Sequence, residues 1–133
     1  NQVKKINFED VIYSQKNNGI IISTLPANKQ SCLIKGTLNI YDEEKTINKF
    51  IKENINKIII IYVMNFNDES VFKKYKQLIN LGFLNVFVYS GGLFEWLLLQ
   101  DIYSNETFET TSKDMDILKY RPNKLFNVNL LCN

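Results

Sequence analysis

The chain has 133 residues, a formal charge of +2 and no histidine. Its length suits one domain and its 45% apolar content can fill a core, while so weak a charge gives no field for a nucleic acid or membrane-surface partner. The missing histidine removes the commonest general base and metal ligand, and Arg121 is the one arginine able to clamp an oxyanion with two parallel hydrogen bonds. Cys32 and Cys132 stand far apart without a C-x-x-C pair. They suit neither a zinc site nor a disulfide framework and read as two reduced thiols of an intracellular, cytoplasmic protein. No run approaches the roughly 20 apolar residues of a membrane span. The chain begins at Asn1 without a charged-then-apolar leader, so it reads as an excised domain with no visible signal peptide. The triplet Asn105-Glu106-Thr107 matches a glycosylation acceptor, but such matches arise often by chance.

In chain order, Asn7 caps a short helix through Tyr13, with acidic residues in its first turn and Phe8, Val11 and Ile12 on one face. Asn17-Asn18-Gly19 is a turn. Ile20-Ile21-Ile22-Ser23-Thr24 is an apolar strand, and Pro26 opens a loop through Ser31. Residues 33–40 carry a kink at Gly36 and then a short strand. A helix over 43–53 places Ile47, Phe50 and Ile51 at helical spacing. Residues 57–63, Lys-Ile-Ile-Ile-Ile-Tyr-Val, form a continuous β-branched run, the signature of a central strand buried on both faces. Asn67 or Asp68 caps the next helix, which runs to about Leu81 with Val71, Tyr75 and Leu78 along its buried stripe and Gly82 at its C′ position. Residues 84–89 form a fourth strand. Gly91-Gly92 opens an apolar helix over 93–100 containing Trp96. Thr110, Thr111 or Ser112 caps a last short helix to about Tyr120, and 121–133 is an extended tail. Strands alternating with helices imply an α/β fold with a mostly parallel sheet of four to five strands between helical layers.

Two stretches carry a family likeness. Leu33-Ile34-Lys35-Gly36-Thr37-Leu38-Asn39-Ile40 resembles the "HIPGAINI" segment that follows the first strand of rhodanese-like domains. Residues 81–92, Leu-Gly-Phe-Leu-Asn-Val-Phe-Val-Tyr-Ser-Gly-Gly, with Trp96 shortly after, are similar to their "GF-NV-L-GG---W" ending. With the order of elements between Asn7 and Gln100, the likeness covers about three quarters of the chain. It implies a three-layer α/β/α rhodanese-like domain over 1–133 and the chemistry of a sulfurtransferase.

Rhodaneses place a nucleophilic cysteine at the end of the central strand, inside a loop whose N–H groups surround its sulfur. The helix start beyond it adds positive potential. Here that position falls on Val63, or on Tyr62 or Met64 with a shifted loop, and none of these is a sulfur nucleophile. The remaining loop residues, Asn65, Phe66, Asn67 and Asp68, lead into Glu69, so carboxylates stand where an anion would be gripped. The family's "D-x-R" pair falls on Ser23 and Leu25. The Cys-x5-Arg spacing of the related phosphatases is excluded, because Leu38 stands six residues beyond Cys32 and the given chain ends just after Cys132. Glu95 and Asp101, six residues apart, fall on different helix faces and read as solvated charges. The resemblance therefore implies a catalytically inactive module for protein interaction or regulation, without metal or cofactor, its partner docking on the helix from Leu93 to Leu99 unless residues 102–133 cover it. The alternative is a sulfurtransferase or persulfide carrier using Cys32.

Overall fold

The computed structural model describes residues 2–126. Within them four strands form one parallel sheet: β1 (Lys5–Ile6), β2 (Ile20–Ser23), β3 (Ile59–Tyr62) and β4 (Val86–Tyr89), in the order β1-β4-β3-β2. The register pairs Ile20 to Ser23 with Ile59 to Tyr62, residue for residue, and Ile59 to Ile61 with Val86 to Val88. All four β3 side chains are buried, as a parallel strand covered on both faces requires.

Four helices connect and flank the sheet: α1 (Phe8–Lys16), α2 (Glu43–Glu53), α3 (Ser70–Asn80) and α4 (Gly92–Ile102). The step from β1 to β2 runs across the sheet one way and β2-β3-β4 runs back. Right-handed crossovers then put α1 on one face and α2 with α3 on the other. α4 joins α1, since Trp96 meets Phe108 edge-on at 5.2 Å and Phe108 meets Phe8 at 5.5 Å between ring centroids. Asn7 forms a capping box, its side chain accepting from Glu9 N and Asp10 N while its own N–H donates to Asp10 Oδ2.

Several elements differ from expectation. β1 is added: two residues carry no periodicity of their own and are a strand only by pairing with Val88 and Tyr89. After Gly36 there is a single bridge, Thr37 to Ile21, in place of a strand. Residues 110–116 are not helical; only Ile117–Tyr120 form a 3-10 turn. Instead, residues 109–112 return to residues 31–35. Lys35 N donates to Glu109 O, Thr111 N to Leu33 O, and the Ser112 hydroxyl to Ser31 O. Of the expected tail, residues 127–133, including Cys132, lie outside the described residues. No helix among the described residues is long and apolar enough to cross a membrane.

The tightest approach of backbone to backbone at a glycine is Gly92, at φ +68, where an added Cβ would sit 2.6 Å from Val63 O and 2.9 Å from Asn65 N. Gly36, at φ +94, has its nearest neighbour at 3.7 Å, the Ile21 side chain. We expect Gly92→Ala to cost about 2–4 kcal/mol, left-handed strain plus a backbone clash, and Gly36→Ala about 1 kcal/mol, strain alone. Urea unfolding midpoints measure both, and equal losses would contradict this packing.

Candidate functional site

β3 ends at Tyr62, and the chain then turns through Val63 to Glu69 into α3. Val63 is 3% exposed, an apolar side chain sealed at the carboxyl edge of the sheet. The loop lies against the start of α4: Leu93 N donates to Val63 O at 2.9 Å and Phe94 N to Met64 O at 2.8 Å. Glycine at position 92 permits that approach, because any side chain there would strike the loop backbone.

Three N–H groups at the end of the loop are taken up from within it, two of them by its own side chains. Asn65 is buried, and its Oδ1 accepts from Asn67 N at 2.9 Å. Asp68 N donates to Asn65 O at 3.3 Å, and Ser70 N donates to Asp68 Oδ1 at 3.0 Å. An amide oxygen and a carboxylate thus occupy positions that an external anion would use. Asp68 does not cap α3 itself. The helix begins one turn-residue later, after Glu69, which makes no side-chain cap. Phe66 projects from the loop, 68% exposed, and does not fill it; Met64 is half-buried and packs on the core. Between the loop, Val71 and Val88 remains a cavity of about 30 Å³ that Asp68 and Lys5 also line. It has room for about one water molecule.

The positions of the "D-x-R" likeness are equally self-contained. The Ser23 hydroxyl accepts from Leu25 N at 3.1 Å, and Leu25 is buried in the core. Thr24 Oγ1 and Ser70 Oγ share a hydrogen bond of 2.9 Å, which ties the end of β2 to the start of α3. Tyr62 turns its hydroxyl inward. It accepts from Ile34 N at 3.0 Å and shares a hydrogen bond of 2.7 Å with Thr37 Oγ1. Burial pushes its phenol far above the usual tyrosine range, so it is a structural pin and not an acid or base near neutrality.

Cys32 lies elsewhere, 1% exposed, with Sγ donating to Ser112 O at 3.4 Å. Burial raises its thiol above the ordinary value of 9.0, which keeps it protonated and a poor nucleophile. On α4, Leu93, Trp96 and Leu97 are buried. The chain after α4 supplies much of the cover: Trp96 Nε1 donates to Glu109 O and Gln100 Nε2 to Phe108 O. Leu98 and Ile102, four residues apart, stay exposed. Glu95 is half-buried and Asp101 exposed.

The loop is visible in the sequence, but its fastener is not. Asn65 Nδ2 donates to Tyr120 O at 2.9 Å, across 55 residues of chain. A polar residue two positions after a buried strand was a signal for an Asx turn; its distant partner had none.

Comparisons place this geometry among known folds. No family model matches the chain, and no curated protein matches it. Solved structures do. The rhodanese-like domain of the Alr3790 protein from Anabaena sp. is 15% identical at a TM-score of 0.58, covering 99% of this chain and 94% of that one. A Lactobacillus plantarum protein is 18% identical at 0.58, covering 72% and 83%. Thiosulfate sulfurtransferase from Pseudomonas aeruginosa is 14% identical at 0.58, covering 89% of this chain and 23% of that one. At such identities the likeness concerns the fold alone.

The environment of Cys32 sets its reactivity. In a Cys132→Ser protein at pH 8, Cys32 should react with a disulfide reagent far more slowly in the folded state than in urea. Because its ionisation is displaced upward, folded-state labelling should accelerate only at pH above the ordinary thiol range. Equal folded and unfolded rates at pH 8 would contradict a buried, protonated thiol.

Proposed function

We propose that this chain, which has the rhodanese fold, is a single rhodanese-like domain that carries out no sulfur transfer at its sheet-edge loop and serves as a cytoplasmic protein-interaction or regulatory module. The observation that supports this most is the loop after β3. Val63, on which the family resemblance puts the nucleophile position, is buried, and Asn65 and Asp68 engage the N–H groups of Asn67 and Ser70 with their own oxygens. Sulfur transfer needs a thiolate able to attack a sulfane sulfur and an environment that favours negative charge around it. An isopropyl side chain supplies no electron pair, and the adjoining Asp68 carboxylate opposes a second anion. Phe66, exposed at the loop tip, and Leu98 with Ile102 on α4 are the apolar groups such a module could present.

The alternative thiol is poorly placed. Cys32 is buried, hydrogen-bonded to a carbonyl and shifted toward its neutral form. A persulfide carrier needs the sulfur accessible to both donor and acceptor, and the fold encloses it.

Thiosulfate and cyanide test the reading directly. The purified protein should form no thiocyanate above the uncatalysed rate, with Cys32→Ser and Cys132→Ser variants giving the same background. Thiocyanate formation that survives both substitutions would overturn our reading of the loop. Activity lost only with Cys32→Ser, together with a persulfide on that residue by mass spectrometry, would establish the carrier instead.

A further inference from the structure

Phe108 and Tyr120 are buried, but every residue between them is at least partly exposed. The first part of this span, 109–112, is pinned by its pairing with residues 31–35. The second part, 113–120, is held differently. Its first half, 113–115, stands off α4 across an open cavity of about 240 Å³, lined by Leu97, Gln100 and Asp101 on one side and Lys113, Asp114 and Met115 on the other, while Ile117–Tyr120 return to α4. Its anchors converge on Tyr120. The ring is 3% exposed, the hydroxyl donates to Asp114 Oδ2 at 2.9 Å, and the backbone oxygen accepts from Asn65. Lys119 closes on Asp114 at 2.7 Å, and Ile117 is the one other side chain of this stretch packed against the core. Few buried apolar contacts and a small set of polar anchors are the marks of a segment that opens locally before the domain unfolds.

Asn65 links that segment to the loop. Its Nδ2 reaches Tyr120 O while its Oδ1 holds Asn67 N. One buried amide plane thus serves both, and detaching Tyr120 leaves Asn65 with an unpaired buried donor and no fixed orientation. We propose that residues 113–120 form a strap that opens as one unit, and that its opening releases the loop from 65 to 68, while 63 and 64 stay fixed to α4. The buried Asn65 amide then becomes accessible to other molecules only in the strap-open state. This holds whether or not the loop has chemistry of its own.

Two variants test it, Tyr120→Phe, which keeps the ring and removes the Asp114 contact, and Asn65→Ala, which removes the shared amide. Trypsin cleavage after Lys119 reads the open strap, and hydrogen exchange at the Asn67 and Asp68 amides reads the loop. Tyr120→Phe should raise both rates by a common factor of roughly tenfold, the scale of a lost hydrogen bond to a carboxylate, while exchange at Ile60 and Ile61 stays constant. Asn65→Ala should speed Lys119 cleavage in return, because coupling between two sites is reciprocal. Faster cleavage with unchanged loop exchange would overturn the coupling. Sheet amides accelerating by the same factor, or no change at any of these sites, would overturn the strap as an independent unit.

Discussion

Two hydrogen bonds at the carboxyl edge of the sheet, from Leu93 and Phe94 N–H to the carbonyls of Val63 and Met64, decide how the rest of the molecule is arranged. A central parallel strand must leave the sheet through a loop with no ladder partner, and buried backbone groups there need partners elsewhere. The first turn of α4 provides them, which is why position 92 has a positive φ and no side chain. Once α4 is fixed against the loop, Trp96 meets Tyr89 and Phe108, and Phe108 brings the following chain back over the α1 face.

The same constraint shapes the chemistry. Strand, loop and helix N-terminus make a place where N–H groups gather, and in an open α/β sheet this is where a ligand binds. In this chain part of the gathering is resolved internally. Asn65 and Asp68 accept from Asn67 and Ser70, Ser23 accepts from Leu25, and Thr24 meets Ser70. The residual cavity of about 30 Å³ is what remains after Val63, Val71 and Val88 pack together. A site that turns several of its own donors inward and leaves room for about one water has less to offer an anion, and fold alone does not restore it.

Much of the fold was legible because its core elements carry strong local signals. The isoleucine runs of β2 and β3, the buried stripe Val71, Tyr75 and Leu78 of α3, the Asn7 capping box and Gly82 after α3 all stand where periodicity and capping rules place them. Elements that exist through distant pairing were not legible. β1 is two residues long and owes its conformation to β4. Thr110, Thr111 or Ser112 was expected to cap a helix to about Tyr120, yet Thr111 and Ser112 bond to residues 31–33 instead. At the site, the resemblance put the nucleophile position on Val63, and the structure buries that apolar side chain. The enclosure of Cys32 under Ser112 and the tie from Asn65 to Tyr120 were not legible, since contacts spanning 80 and 55 residues leave no trace in local pattern.

The central claim is that the loop after β3 does not hold the anion that sulfur transfer would require. The most direct measurement is a titration of the isotopically labelled protein with thiosulfate, followed by the backbone amide resonances of Met64 to Val71. The account predicts no saturable shift at these amides, only the small, linear drift that added salt causes across the surface. A saturable displacement centred on Asn65 to Ser70, removed by competing sulfate, would contradict it.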